Sequence, residues 1–411
     1  MNEKDRLFYG WVVVLSFLVI GIALYGIHFS FGLFFKSIES EFNLTRTATS
    51  AIVSTNLILA GISAFLAGLA LDRYGPKTVI LFMGLFTGIS LLFTSQVNSY
   101  WQLFLTYSLL LSMGTGAVYV VSTSTVSRWF KKKRGLALGV AGSGVGLGTI
   151  LMAPFATFLI INLDWRMSYL IVGLVAWIIV IPLSWLLKRE PGEIGALPDG
   201  ANLHSSYIES EETSIQATDS PLSKVFRTRS FWLFLFCWLL FSSCLFLILT
   251  HLIPHLTDIG FSAQEAARVL SLIGVSAIAG RLIMGTVSDK IGRKRTSIIA
   301  ALLQASAMFW LIEAQELWMF YIFSLLFGFA YSGFGASMGA LIGDILGLSK
   351  IGTIFGLLDI GFGIGSAIGS AIGGIIFDIS NSYTIAFIIG ATSMLIVTLL
   401  VALIPKEVKR N

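Results

Sequence analysis

Twelve separate apolar stretches, most of about 20 residues or more, run through this 411-residue chain and limit its fold more tightly than any other feature. An α-helix of about 20 apolar residues crosses the hydrocarbon layer of a membrane, with its backbone polar groups bonded within the segment. The stretches fall near 11–35, 47–70, 78–96, 101–127, 136–160 and 167–187, then near 231–257, 266–288, 296–313, 317–343, 352–376 and 383–404. Composition agrees, with 56% of residues hydrophobic and 12% charged, about half the charged share of a soluble domain. So few charges cannot coat a water-soluble chain of this size. Collagen-like, disordered and disulfide-framework classes fall with 8 prolines, 32 phenylalanines and two cysteines. Cys237 and Cys244, seven positions apart in one apolar run, stand about 10 Å apart along a helix and cannot bridge. Both are read as reduced packing residues.

Between the sixth and seventh runs, residues 188–229 hold Pro191, Gly192, Pro198, Gly200, several serines and the acidic Glu209, Glu211 and Glu212, the composition of a solvated linker. The expected division is a six-helix bundle over 1–187, a cytoplasmic linker over 188–229 and a second six-helix bundle over 230–411. Inner loops hold the excess of Lys and Arg. With both termini inside, only Lys36, Arg46, Arg166 and Arg268 of the 27 basic residues lie outside, and Arg281 lies within a span. The clusters Arg128, Lys131, Lys132, Lys133, Arg134 and Lys290, Arg293, Lys294, Arg295, like Lys350, then mark inner loops rather than a nucleic-acid surface. The first run, after Lys4 and Arg6, is too long for a signal-peptide core and stays as a span. This reads as a multi-pass protein of the cell membrane, its partner the lipid bilayer, with a single chain expected to suffice.

An internal repeat relates the halves. The step that takes Gly68 to Gly285 also carries Asp72, Gly75 and Lys77 onto Asp289, Gly292 and Lys294, and Trp101 onto Trp318. The same step carries Gly135, Gly139, Gly144, Gly146 and Gly148 onto Gly352, Gly356, Gly361, Gly363 and Gly365. Duplicated bundles of this kind place a site at their interface, near the bilayer midplane, and rock around it. The glycine runs lie inside apolar helices with no strand before them, so they point to close helix packing rather than a nucleotide loop. No Walker A, HExxH or GxSxG pattern occurs, so no ATP-driven pump, catalytic centre, metal site or cofactor is implied.

The paired loops Gly68-Leu-Ala-Leu-Asp72-Arg73-Tyr-Gly75-Pro-Lys77 and Gly285-Thr-Val-Ser-Asp289-Lys290-Ile-Gly292-Arg293-Lys294 resemble the helix 2 to 3 signature of the major facilitator superfamily. Physically, each combines a helix-ending glycine, a carboxylate able to meet a neighbouring helix end, and basic residues at the inner surface. Further motifs narrow the resemblance to the monocarboxylate transporter branch and its bacterial oxalate/formate antiporter relatives. They are Tyr9-Gly10-Trp11, Phe31-Gly32-Leu33-Phe34-Phe35-Lys36, Glu41-Phe42, Asp164-Trp165-Arg166, Phe377-Asp378 and Ser382-Tyr383. The resemblance implies an all-α integral membrane protein of the major facilitator fold, with twelve transmembrane helices in two pseudo-symmetric six-helix bundles that alternate access by a rocker-switch motion.

A charge at mid-membrane costs about 2.5–3.5 kcal/mol on insertion scales and marks function by default. Arg281 is the clearest case, two turns before the inner end of helix 8 and flanked by Gly280 and Gly285. Its guanidinium matches a carboxylate, and the resemblance implies a substrate-binding Arg at this place; a structural ion pair between helices is the alternative. The chain departs from the family at three points. Ala277 stands where animal monocarboxylate transporters have Asp, Phe29 beside His28 about where they have a helix 1 Lys, and Phe362 where the antiporters have a second basic residue. One fixed positive charge suits one carboxylate, hence a monocarboxylate rather than a dianion.

Proton coupling requires an acid whose charge changes during the cycle. Asp258, at the outer end of helix 7 after His251, Pro254 and His255, is the first candidate, and Asp359, two turns into helix 11, the second. His251 and His28 invite a relay role, with a packed polar ring as the alternative. Tyr119, Tyr331 and Ser276 are candidate hydrogen-bond donors to a substrate, or packing residues at helix interfaces, while Phe29 and Phe362 shape the rest of the cavity. The function expected is proton-coupled symport of a small monocarboxylate of the lactate or pyruvate type, with carboxylate exchange as the rival.

Overall fold

The computed structural model describes residues 8–130, 134–198, 228–346 and 351–405. Lys4, Arg6, Lys131, Lys132, Lys133, Gly200, Glu209, Glu211, Glu212 and Lys350 lie outside the described residues, as do the side chains of Asp72, Arg134 and Asp289. The described residues contain no β-strand. Twelve of their helices are long and apolar enough to cross a bilayer. In chain order they are α1 (Tyr9–Glu41), α2 (Arg46–Leu71), α3 (Arg73–Thr94), α4 (Tyr100–Trp129), α5 (Ala137–Asn162) and α6 (Trp165–Ser184). The rest are α7 (Arg229–Asp258), α8 (Ala263–Ser288), α9 (Arg293–Ile312), α10 (Leu317–Leu346), α11 (Ile354–Ser380) and α12 (Thr384–Leu403). They follow the apolar runs, with α1 extending past its run to Glu41.

Local chemistry sets the helix starts. Thr45 caps α2 by accepting from the Ala48 amide at 3.1 Å, and Asp164 caps α6 by accepting from Met167 at 2.8 Å. Ser262 and Glu265 form a reciprocal capping box on α8. The two signature loops share one backbone device. Gly75 (φ 77°) and Gly292 (φ 96°) both take the left-handed side of φ that a side chain disfavours, turning the chain sharply from α2 into α3 and from α8 into α9. The lysine two positions on then grips the last helix of its own half. Lys77 Nζ lies 3.9 Å from the Trp185 ring beyond α6, and Lys294 donates to the carbonyls of Ala402 (2.8 Å) and Ile404 (2.5 Å) at the end of α12.

Packing repeats in the same way. In the first six spans α1 packs on α5, α2 on α4 and α3 on α6; in the last six α7 packs on α11, α8 on α10 and α9 on α12. Lipid tails compete equally for apolar side chains, so close backbone approach through small residues has to hold these pairs. A Cβ on Gly148 would stand 2.7 Å from the carbonyl oxygen of Ile22, and one on Gly365 would stand 2.0 Å from that of Leu239. Ile22 and Leu239 are themselves related by the repeat spacing, so the same glycine meets the same carbonyl in each half. The glycine runs are helix-packing surfaces. Across the halves, α2 meets α11, α5 meets α8, and the last part of α1 meets α7.

Twelve crossings return the chain to the side on which it starts. Tyr9 Oη donates to the Leu186 carbonyl (2.9 Å) and the Trp129 indole to that of Lys188 (3.1 Å), which gathers the starts and ends of the first six spans on one face, the terminal end. Cys237 and Cys244 are buried free thiols.

Candidate functional site

Two glycine crossings fix the depth of the site. α5 crosses α8 where a Cβ on Gly146 would lie 2.8 Å from the Gly274 carbonyl, and α11 crosses α2 where a Cβ on Gly363 would lie 2.8 Å from the Leu57 carbonyl. Gly146 and Gly363 are repeat partners. Counting along the helices toward the terminal end, Arg281 lies about two turns past the first crossing and Asp359 about one turn past the second. The two groups that resist burial in lipid therefore face one chamber from the two interfaces that join the halves.

Arg281 Nη1 donates to the carbonyl of Gly142 at 2.8 Å, from α8 to α5. Its recess is lined by Gly139, Ser143, Ala277, Ile278 and Tyr331. Tyr25 of α1 and Tyr119 of α4 lie within electrostatic reach of both Arg281 and Asp359, and Tyr331 of α10 within reach of Arg281. Asp359 faces the Trp238 indole of α7, which finds no well-aligned acceptor. Among the described residues, neither Arg281 nor Asp359 has an ion-pair partner. Toward the opposite end the chamber is roofed by rings. Phe29 lies 5.8 Å from Phe246, Phe246 6.1 Å from Phe362, and Phe362 5.9 Å from Trp238. His28 joins this roof, 5.9 Å from Phe246, with Nδ1 3.3 Å from Thr115 Oγ1.

Beyond the roof the halves are tied together by charge. Arg46, 6% exposed at the start of α2, pairs with Glu39 (2.6 Å) and Asp258 (3.0 Å) and donates to Tyr383 Oη (2.7 Å). Its guanidinium lies 4.4 Å from the Phe377 ring centre. Lys36 also pairs with Asp258. The Asp378 carboxylate accepts from the backbone amides of Arg46 (2.9 Å) and Thr47 (2.8 Å), so a residue of α11 caps the N-terminus of α2 in the other half. Burial pushes the pKa of the Tyr383 phenol up, against the pull of Arg46, and keeps its proton available. That phenol meets His251 Nδ1 at 3.3 Å, while His251 Nε2 donates to the Ser370 carbonyl at 2.7 Å. At the terminal end the situation is reversed: a Cβ on Gly139, Gly335 or Gly356 would meet none of the described residues within 4 Å. Among the described residues the chamber is sealed at one end and not at the other, and Tyr119 is 46% exposed.

Arg281, Tyr119, Tyr331 and Asp359 thus come together, with Phe29, Phe362 and His28 above them. Three residues grouped with them from sequence do not join the chamber. His251 is fully buried in the sealed end, bonded between Ser370 and Tyr383. Asp258 is held there by two cations, and its position at the end of α7 keeps it far along the helix from the level of Trp238. Ser276 bonds to the Ser324 carbonyl of α10 at 2.9 Å; five residues before Arg281, it points about 140° away from it around α8. Sequence reading passed over Tyr25, Trp238 and Gly142 in the chamber and Arg46, Glu39 and Asp378 at the sealed end. Tyr25 was signalled by its spacing, one turn before His28 and Phe29 on the same face of α1.

The chain belongs to the major facilitator superfamily, whose sequence model matches residues 13–290 and 252–411. Membership makes it a membrane transporter and not an enzyme. Among its curated relatives are proteins named as monocarboxylate transporters. Monocarboxylate transporter 13 of Rattus norvegicus is 23% identical over 94% of this chain and 87% of its own length, and monocarboxylate transporter 12 of Xenopus laevis 24% over 98% and 90%. Two solved structures share the fold: a D-xylose-proton symporter (TM-score 0.75, 16% identity, covering 98% of this chain and 99% of that one) and a bacterial homologue of the human lysosomal transporter Spinster, inward-facing and unoccupied (TM-score 0.69, 15% identity, 98% and 96%).

Proposed function

We propose that this protein carries a small monocarboxylate together with a proton across the cell membrane, as a single chain whose two six-helix bundles, 1–187 and 230–411, rock about the chamber. The observation that carries the reading is the pair Arg281 and Asp359, neither of them ion-paired among the described residues, on one chamber between the halves. A carboxylate entering beside Arg281 gains charge-assisted hydrogen bonds from a planar fork. Tyr331 and Tyr119 offer hydroxyls to its remaining oxygens, and the Phe29, Phe246 and Phe362 rings meet a short apolar tail. Asp359 takes the proton. Asp258 is set aside for that role, because it is ion-paired to Lys36 and Arg46 at the sealed end, away from the chamber.

The balance of charge supports this assignment. One anion and one proton cross with no net charge, so a membrane potential worth about 2.3 kcal/mol per charge per 100 mV neither drives nor opposes the step. Placing the Lys- and Arg-rich terminal end in the cytoplasm makes this conformation open to the inside, with Arg46 and its partners closing the outside. The relatives named as monocarboxylate transporters agree with the substrate class.

Labelled lactate uptake into proteoliposomes under an inward proton gradient tests the proposal. Overshoot that collapses with a protonophore and disappears in Arg281→Ala and in Asp359→Asn supports it. Uptake only into vesicles preloaded with a carboxylate, indifferent to the gradient, replaces symport with exchange.

A further inference from the structure

Resting on the reading of Arg281 as the carboxylate binder, we infer that the backbone carbonyl of Gly142 is the positioning group for its guanidinium, and that position 142 is glycine for this reason. Ser143 (φ −67°, ψ −13°) is a single turn residue here between a helical segment ending at Gly142 and one beginning at Gly144, and i−4 bonds from Ser143 to Gly139 (3.0 Å) and from Leu147 to Ser143 (3.1 Å) carry α5 through it. The carbonyl that closes the first segment accepts from Nη1 at 2.8 Å. Arg is a fork with five donors on a long stem. Pinning one nitrogen leaves the remaining edge, Nη2 and Nε, for the two oxygens of a carboxylate, and Tyr331 and Ala277 line the same recess.

The space around Gly142 is reserved for that fork. A Cβ there would stand 2.6 Å from Arg281 Nη1 and 3.8 Å from its Cζ, and no other atom of the described residues outside its own helix stretch lies within 4 Å. A side chain at 142 would therefore leave the helix packing intact and displace only the guanidinium. Gly339 of α10, outside this recess, has nothing nearer its would-be Cβ than the Phe355 ring at 4.0 Å, which makes it the control. The bond also joins α8 to α5, so a substrate on Arg281 is held by one half through a side chain and by the other through that side chain's anchor. The repeat supports a special status for the position: its spacing carries Gly142 onto Asp359, the other charge of the chamber.

The test compares lactate KM and maximal rate in proteoliposomes for the native chain, Gly142→Ala, Gly339→Ala and Gly142→Asp. Gly142→Ala is expected to raise KM about tenfold, the scale of one hydrogen bond to a charged group, with the maximal rate within a factor of two and an unchanged melting profile. Pyruvate should lose the same factor, because the carboxylate is the shared group. Gly339→Ala should leave KM unchanged. Gly142→Asp should abolish uptake by delivering its own carboxylate to Arg281, while the purified protein remains folded. A native KM in Gly142→Ala, an equal rise in Gly339→Ala, or normal uptake by folded Gly142→Asp each overturns the inference. If Arg281→Ala transports lactate normally, the substrate reading fails first; if Arg281→Ala is inactive and Gly142→Ala native, only the positioning role is lost.

Discussion

The two halves repeat one packing scheme but divide its labour. Three helices of the last six spans are unbroken: α7 is one helix from Arg229 to Asp258, α10 one from Leu317 to Leu346, and α11 lies within one from Ile351 to Ser380. Their counterparts in the first six are interrupted. α1 breaks at Phe29 and Ser30, α4 contains a π-helical stretch from Phe104 to Leu110 and a second break at Gly116 and Ala117, and α5 has a single turn residue at Ser143, the mildest of the three. Both charges of the chamber sit on the unbroken half. The broken half supplies a carbonyl, two tyrosines and Phe29. Fixed charges in a low-dielectric site need rigid placement, whereas a break in a helix frees backbone groups to line a cavity.

Four experiments press on this division, from the largest effect to the smallest. Arg281→Ala should cut carboxylate uptake about 100-fold or more, as expected when the charged partner of a desolvated anion is removed, while Tyr25→Phe or Tyr119→Phe, made in the other half, should cost only about tenfold. Equal losses would erase the distinction between charge-bearing and shape-bearing halves. Asp359→Asn should abolish gradient-driven accumulation yet preserve lactate exchange; Asp258→Asn should keep accumulation and change its rate.

The sealed end offers the sharper challenge, since Arg46 is a buried charge of the first half. Arg46→Ala strands Glu39, leaves Asp258 to Lys36 alone and should lower stability by about 3 kcal/mol, read as a fall in melting temperature. It should also raise the labelling of a cysteine placed at Ser50 by a membrane-impermeant reagent from outside. Unchanged labelling would show that the apolar contacts alone close that end. Last, Gly365→Ala should destabilise more than Gly148→Ala, both within about 1–3 kcal/mol, because its Cβ would come nearer a carbonyl. The reverse order would place the more tightly fixed contact in the broken half.

The spans, the signature turns and the repeat were legible in the sequence because each is written in neighbouring residues: apolar length, a glycine at the turn, a fixed spacing. Arg281 and Asp359 were legible because a charge inside an apolar run has few explanations. Arg46 was not, since it stands at the start of a run and reads as an outer-loop base; its partners Asp258, Asp378 and Tyr383 all belong to the other half of the chain. His251 and Asp258 looked like a relay to the substrate because they lie two turns apart on one helix. Sequence gives their spacing along α7 but not the level at which the aromatic roof closes, and the structure puts both beyond it.

The Asp378 carboxylate on the first two amides of α2 has a further consequence for how the molecule opens. Those N–H groups begin a helix and have no acceptor within it. When the halves part at this end, Asp378 leaves with α11 and only water can take its place. Opening is thus a hydration reaction at a helix dipole, and its equilibrium should follow the activity of water: excluded osmolytes such as sucrose should favour the sealed state.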